Sequence, residues 1–205
     1  MRRQVFSILL LGAIGVLVVG LLYGIYCRFR DLRMVNDALR GQIALLSSGN
    51  PADMRVRQAE LRTEGLCLDP SLEGVNENGD TVRFVDVLKG GGIVFCYSGS
   101  QCGACVDQQM RLAKDFFRGA RSSQCFVVSD FPIQRDMQVF KDLHKIDAHI
   151  LKRLSAWMLP ADSLNEPYYL VLDSTVCIER AFIPRKEHSE VSEAFFGAMA
   201  RRWGK

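Results

Sequence analysis

The chain has 205 residues and a formal net charge of +3 at pH 7, with 48% hydrophobic and 24% charged residues. This length suits one globular domain with an additional segment, and the absence of a basic cluster interleaved with aromatic residues argues against a nucleic-acid partner. Seven cysteines are present. Their odd number and irregular spacing are not the pattern of a small scaffold held together by disulfides.

An uncharged apolar stretch lies near the start of the chain. Residues 5–27 contain no charged side chain, are long enough to span a bilayer, and have arginines on both sides. No small-x-small cleavage site ends this stretch. We therefore expect residues 1–27 to form an uncleaved N-terminal transmembrane signal anchor, with a cleaved signal peptide as the alternative. The positive charges at its two ends do not choose an orientation.

Residues 28–65 are polar and charged, and they are predicted to form a helical connector. Apolar residues recur in its first part at an a/d-like spacing, at Leu32, Val35, Leu39 and Leu46. Two heptads are marginal in water, so this part is interpreted either as a weak dimer contact through residues 28–46 or as a solvated helix beside the membrane. A second short helix is predicted at 52–62.

The domain is expected to occupy residues 66–205. It begins with a hairpin, because short β-forming runs between residues 75 and 84 flank an Asn-Gly turn. A run of β-forming residues without charge follows three glycines, at Ile93, Val94, Phe95, Cys96 and Tyr97. This composition is typical of a strand that is buried on both faces.

A Cys-x-x-Cys pair follows this strand. Cys102, Gly103, Ala104 and Cys105 come after a Ser-Gly-Ser turn and before a helical stretch that is predicted to end at Gly119. A helix N-terminus carries partial positive charge and free N–H groups, and both favour a thiolate. Because the thiolate is the species that attacks disulfides, this placement indicates redox chemistry.

The remaining pattern completes an α/β order. Residues 125–129 are predicted to form a second buried strand, so that strand, helix and strand make a right-handed parallel βαβ unit. The other predicted elements are a helix at 136–145, a helix or irregular segment at 150–159, an antiparallel hairpin of strands at 168–172 and 176–182, and a last helix capped by Ser189.

The Cys-x-x-Cys after a buried strand, the proline-led hairpin and the closing helix resemble the thioredoxin fold. The turn Asn78-Gly79-Asp80, with Lys89-Gly90 ahead of the strand, is similar to the membrane-anchored TlpA-like branch of the redoxin family, thiol–disulfide oxidoreductases of the bacterial envelope. The resemblance covers residues 66–203. It implies an α/β fold with a mixed sheet and helices on both faces, on the periplasmic or other extracytoplasmic side of the membrane.

The resemblance also implies roles for single residues. Cys102 is expected to be the nucleophile and Cys105 the resolving thiol, and Pro167 matches the family's cis-proline beside the dithiol. The substrate is expected to contact Gly103, Ala104, Glu166 and Pro167. The implied partners are a protein disulfide or dithiol substrate and an upstream electron donor, and no cofactor is expected.

Three residues depart from the family pattern. Gln101 replaces an aromatic residue before the first cysteine, and Cys96 stands where thioredoxins have a buried acid. Glu166 replaces a small residue before the proline, where a carboxylate is expected to raise the pKa of a nearby thiol. Cys96 is interpreted either as a plain buried thiol or as a third redox-active one. The remaining core cysteines are predicted to be inert, at Cys67, Cys125 and Cys177.

Two other classes of function stay open. Soft thiolates suit Cu(I), so Cys102 and Cys105 are candidate ligands of a metal carrier, with His188 as a third ligand. The fold also suits a non-catalytic binding module, although the retention of both cysteines argues against it. A structural zinc site needs two more ligands, and because the three histidines are isolated, no metal is expected.

Overall fold

The computed structural model describes residues 51–118 and 122–202. The predicted anchor at 1–27 and the predicted dimer segment at 28–46 lie outside these residues. Across the described ranges, no helix is both long enough and apolar enough to cross a membrane.

The described part of the chain contains seven strands and five α-helices. The strands are β1 (Glu73–Val75), β2 (Thr81–Arg83), β3 (Gly92–Cys96), β4 (Cys125–Ser129), β5 (His149–Arg153), β6 (Tyr168–Leu172) and β7 (Ile178–Phe182). The α-helices are α1 (Pro51–Thr63), α2 (Phe84–Leu88), α3 (Gly103–Ala113), α4 (Gln134–His144) and α5 (Ser189–Arg202). Short 3-10 turns occur at Ser122–Gln124 and Pro160–Leu164.

The strands form one sheet in the order β2-β1-β5-β4-β3-β6-β7. Strands β3, β4 and β5 run parallel to one another, whereas β1, β2, β6 and β7 pair antiparallel with their neighbours. The mixed sheet and the parallel β3-α3-β4 unit confirm the predicted architecture. Because β3 has partners on both sides, the loop at its carboxyl end leaves from the interior of the sheet and not from an edge.

Strand β3 divides the core into two layers. Its five residues are all buried, as their uncharged β-forming pattern predicts. Phe95 packs in the cluster that contains Met110 of α3 and Phe195 of α5, whereas Val94 packs in the cluster that contains Val56 of α1. Successive side chains of a strand point to opposite faces, so helices cover both faces of the sheet.

Strand β5 was not expected from the sequence, which predicts a helix or an irregular segment at 150–159. The structure has a strand at His149–Arg153, parallel to β4 and antiparallel to β1. Ile150 is fully buried, but Lys152 and Arg153 end the strand and obscure its β pattern. Both charged ends find partners, since Lys152 donates to the Pro132 carbonyl and Arg153 pairs with the carboxylate of residue 162.

Helix α3 is shorter than predicted. It ends at Ala113 and not at Gly119, because the Ala113 carbonyl accepts the N–H groups of both Phe116 and Phe117, each at 2.9 Å, in a tight turn. Apolar residues along this segment are nevertheless buried, at Val106, Met110, Ala113 and Phe117. The helix therefore still packs its apolar side on the sheet.

Helix α1 packs on the domain, although the sequence places it in the connector. Glu60 Oε1 accepts the N–H of Ile183 at 2.9 Å, just after β7. Thr63 Oγ1 accepts the buried N–H of Ala161 at 3.1 Å. These polar contacts satisfy backbone groups that would otherwise be buried without a partner. Helix α1 therefore belongs to the same compact unit as the sheet.

Glu60→Ala tests the docking of α1. This substitution leaves the N–H of Ile183 without its acceptor, and we expect a loss of about 2 kcal/mol in the free energy of unfolding. Glu60→Gln retains an acceptor oxygen and is the matched control, with an expected loss below about 1 kcal/mol. Urea unfolding of the full chain measures both values. An equal loss in the two variants would contradict a role for this hydrogen bond.

A disulfide joins Cys67 to Cys177, which corrects the prediction that both are inert core thiols. The segment before β1 pairs with the start of β7, where the N–H of Ile178 donates to the Leu66 carbonyl at 2.7 Å. The two cysteines face each other in this pairing, 110 residues apart in the chain. Spacing in the sequence could not reveal the bond, because the strand pairing brings the two cysteines together.

Candidate active site

Cys102 lies between β3 and α3 and is the N-cap residue of α3. Its carbonyl accepts the N–H groups of Cys105 and Val106 at 2.9 and 3.2 Å, so it begins the first turn of the helix. Cys102 is exposed and Cys105 is half-buried, and both are free thiols. The helix N-terminus predicted for the dithiol is therefore present.

Hydrogen bonds from the end of β4 hold the turn before Cys102. Asp130 accepts the Ser98 hydroxyl at 2.8 Å and the Gly99 N–H at 2.7 Å. The Ser98 N–H donates to Gln101 Oε1 at 3.1 Å. Gln101, which departs from the family's aromatic residue, thus closes the turn that presents Cys102.

The pKa values of the two thiols shift in opposite directions. Hydrogen bonds from the thiol and backbone N–H of Cys105, and then the charge of Lys186, hold the pKa of Cys102 below its ordinary value. Burial, and then the hydrogen bond to Cys102, raise the pKa of Cys105. The exposed sulfur is therefore the one that ionises more readily.

Lys186 lies beside the dithiol, which the sequence did not indicate. Its Nζ lies 3.7 Å from Cys102 Sγ, and the two residues are 84 positions apart in the chain. Contacts with Cys105 and then with Cys102 raise the pKa of Lys186, so it stays an ammonium beside the thiols. The loop after β7 brings this lysine to the dithiol, and no sequence motif around Lys186 predicted that contact.

A pocket of about 230 Å³ opens beside the dithiol. It is lined by Cys102, Cys105, Gln108, Gln109, Asn165, Glu166, Pro167, Pro184, Arg185, Lys186 and Glu187. The predicted residues Glu166 and Pro167 therefore lie at the same site as the thiols. Gly103 and Ala104 are exposed at the start of α3 and do not line this pocket.

Pro167 lies beside the dithiol, but the predicted cis peptide bond is wrong. No peptide bond in the described ranges is cis, so the bond from Glu166 to Pro167 is trans. Trans is the ordinary state of an X–Pro bond, favoured by about 0.5–1 kcal/mol. Pro167 precedes β6, whose first residue, Tyr168, pairs with Cys96 of β3, and this pairing places the proline near the end of β3.

Glu166 does not dominate the electrostatics of the nucleophile. A carboxylate before Pro167 is expected to raise the pKa of a nearby thiol, yet the pKa of Cys102 is lowered. Cys105 supplies the largest contribution to this lowering and Lys186 adds to it, whereas Glu166 is not among its causes.

Cys96 is a buried thiol in the second core cluster. Its exposed fraction is 1%, and burial raises its pKa. A thiol that is buried and protonated reacts poorly with disulfides. Tyr168 lies beside it and donates its hydroxyl to Asp162 at 2.8 Å. These observations favour the interpretation of Cys96 as a structural thiol.

The described residues contain no group of three or more His, Cys, Asp or Glu side chains arranged to hold a metal ion. His188, the candidate third ligand beside the dithiol, has its Nδ1 3.2 Å from Glu190 Oε1 and does not line the pocket. The arrangement therefore offers two sulfurs and an ammonium, and a cation beside the thiolates does not favour binding of a second cation.

Comparisons with known proteins give matches among solved structures alone. No protein-family model matches the chain, and a search of curated proteins finds no match. A thiol:disulfide interchange protein from Bacteroides sp. has a TM-score of 0.52 and 11% identity, covering 67% of this chain and 88% of that chain. The thioredoxin domain of a thiol-disulfide oxidoreductase from Bacteroides vulgatus has a TM-score of 0.44 and 12% identity, covering 64% and 96%.

A third match, a peroxidoxin from Mycobacterium tuberculosis, has a TM-score of 0.44 and 17% identity, covering 66% of this chain and 97% of that chain. At such low sequence identity, structural similarity indicates the fold alone and does not transfer an activity. The sheet order, the helices on both faces and the first of these similarities agree with the resemblance drawn from the sequence. The chain therefore has the α/β fold of the thioredoxin-like proteins.

Proposed function

We propose that this chain is a thiol–disulfide oxidoreductase in which Cys102 attacks and Cys105 resolves. The observation that carries the proposal is the asymmetry of the two thiols at the N-terminus of α3. The exposed Cys102 has a lowered pKa, and the half-buried Cys105 has a raised one. An attacking thiol needs access and thiolate character, whereas a resolving thiol acts only after the mixed disulfide forms.

The two electrons of the reaction pass between the dithiol and the substrate disulfide alone. The Cys102 thiolate attacks one sulfur of the substrate disulfide and forms a mixed disulfide with it. The bond between the two substrate sulfurs breaks, and the other substrate sulfur leaves as a thiolate. Cys105 then loses its proton to solvent and attacks the sulfur of Cys102, which releases the second substrate sulfur. The substrate gains two electrons and takes two protons from solvent, while the protein ends with a Cys102–Cys105 disulfide.

The pocket beside the thiols supports a protein segment as the substrate. Pro167 and Glu166 form one part of its wall and the loop after β7 forms another, so a chain segment that carries a cysteine can lie across Cys102. In a reductase of this kind, an upstream electron donor restores the dithiol. The reverse direction, in which the oxidised protein accepts electrons from a substrate dithiol, uses the same groups.

We further propose that the domain works outside the cytoplasm on a membrane anchor. The Cys67–Cys177 disulfide supports the compartment, because disulfides persist in oxidising environments. The uncharged run at 5–27 supports the anchor. Labelling of the exposed Cys102 in intact cells with a membrane-impermeant reagent tests on which side of the membrane the domain lies. Labelling only after lysis would contradict this placement.

Cys102→Ser is the direct test of the activity. A serine hydroxyl does not replace a thiolate, so we expect reduction of a protein disulfide such as that of insulin to fall at least about a hundredfold, to background. Cys125→Ala, which removes a buried thiol of β4, is the matched control and should retain activity. Full activity in Cys102→Ser would exclude the proposed function.

A further inference from the structure

We propose that Lys186 is a catalytic residue of the dithiol site, which stabilises the thiolate of Cys102 before attack and that of Cys105 during resolution. The inference rests on the function proposed above and adds a residue to its mechanism. Lys186 lies in the loop after β7, opposite the N-terminus of α3, and lines the same pocket as both thiols.

The geometry lets one ammonium serve two sulfurs. Lys186 Nζ is 3.7 Å from Cys102 Sγ, which is within hydrogen-bond range for sulfur. An ammonium has three N–H donors on a flexible stem and can address Cys105 from the same position. Consistent with this, Lys186 lowers the pKa values of both Cys102 and Cys105.

The fold holds the loop that carries this lysine. The neighbouring Arg185 forms an ion pair with Asp53 of α1, with Nη1 and Oδ1 3.0 Å apart. The Asp53 side chain is only 8% exposed, so the pair is largely shielded from solvent. Two residues before Arg185, the N–H of Ile183 donates to Glu60 of the same helix. Helix α1 thus fixes both the end of β7 and the start of the loop.

The resolving step has the greater need for a cation. Burial raises the pKa of Cys105, which opposes the ionisation that attack requires. Cys96, at the position where thioredoxins have a buried acid, is a buried thiol whose raised pKa keeps it protonated, so it cannot take the proton of Cys105. A fixed ammonium beside Cys105 stabilises the thiolate without any base, and it stays in place when Cys102 is bonded to substrate.

Other charged groups face the site from each neighbouring element. They are Glu166 before β6, and Arg185 and Glu187 in the loop after β7, whereas the next residue, His188, does not line the pocket. Arg185 is engaged by Asp53 at 3.0 Å and by Glu187 at 3.9 Å, and His188 lies against Glu190 at 3.2 Å. These groups mainly compensate one another, whereas Lys186 directs its charge to the sulfurs.

The first experiment measures the alkylation rate of Cys102 against pH. The full chain is reduced, treated with iodoacetamide, and followed by mass spectrometry of the Cys102 peptide. Lys186→Met keeps much of the side-chain length and removes the charge, so the rise in rate should move to higher pH. The smaller thiolate fraction is partly offset by the greater nucleophilicity of a thiolate of higher pKa, so we expect alkylation about threefold slower at pH 6.

The second experiment measures resolution. Glutathione is placed on Cys102 as a mixed disulfide, and its release by Cys105 is timed. We expect release from Lys186→Met to be about threefold slower or more below pH 7, by the same reasoning. Lys186→Arg retains the charge and should restore both rates to within about twofold. Lys89→Met, which removes an exposed lysine at the opposite end of β3, is the matched control and should match the wild type.

Each outcome decides the inference. A shifted alkylation profile and slow glutathione release in Lys186→Met, restored by Lys186→Arg, support it. Unchanged rates in Lys186→Met, or an equal loss in Lys89→Met, overturn it. Both assays report thiol chemistry without a natural substrate, so a wild-type protein that reduces no protein disulfide would refute the proposed function while the role of Lys186 was still measured.

Discussion

Cys105→Ser is expected to leave Cys102 bonded to its partner after the first attack. The substitution retains the exposed nucleophile, so the mixed disulfide still forms, but no thiol lies in place to break it. Well-oriented intramolecular groups reach effective concentrations of about 10⁵ M or more, far above millimolar external thiols. We therefore expect the mixed disulfide to be resolved at least about a thousandfold more slowly than in the wild type.

Mass spectrometry after reaction with oxidised glutathione measures this effect. The wild type should release both glutathiones and end with a disulfide between Cys102 and Cys105, whereas Cys105→Ser should carry one glutathione on Cys102. Cys96→Ala is the matched control, because it removes a buried thiol that neither contacts nor resolves the nucleophile in this mechanism. Rapid loss of glutathione from Cys105→Ser would mean that another thiol resolves, and slow loss from Cys96→Ala would identify that thiol.

Removing the Cys67–Cys177 disulfide is expected to destabilise the domain strongly. The bond closes a loop of 110 residues, and the entropy it removes from the unfolded chain corresponds to about 4–5 kcal/mol at that length. Both ends also join the segment before β1 to the edge strand β7, so the folded state loses a clamp. We expect the double substitution Cys67→Ser with Cys177→Ser to lower the free energy of unfolding by about 3–5 kcal/mol.

Thermal and urea unfolding of the full chain measure this loss, which corresponds to a fall in Tm of roughly 10 °C. The matched control is Cys102→Ser with Cys105→Ser, where both thiols are free and the potential loop is short. That pair should change the free energy of unfolding by less than about 1 kcal/mol. A Tm equal to that of the wild type in the Cys67 and Cys177 variant would show that the bond contributes nothing to stability.

The two cysteine pairs of the described residues differ in how well the sequence predicted them. Cys102 and Cys105 are adjacent on one helical turn, so their spacing already defined a site. Cys67 and Cys177 were assigned to the core, because cysteines distant in sequence show no relation until the strands pair. The disulfide also supports the extracytoplasmic placement that the sequence could infer only from a resemblance.

The same distinction applies to strands and helices. Strands β3 and β4 were predicted, since a run of β-forming residues without charge has to be buried on both faces wherever it lies. Strand β5 was missed, because Lys152 and Arg153 mask its pattern and its neighbours β4 and β1 decide its conformation. Helix α1 was assigned to the connector, because polar contacts with the domain produce no periodic apolar signal.

Local patterns in the sequence therefore located the Cys102–Cys105 pair, the helix behind it and most of the sheet. Burial of apolar residues and the geometry of a helix N-terminus depend on a few neighbouring residues, so the local sequence pattern indicates them. Tertiary structure alone decided the approach of Lys186 to the thiols, the docking of α1 and the Cys67–Cys177 pair. Each depends on segments that are distant in the chain, and these segments come into contact only when the strands on both sides of β3 have paired.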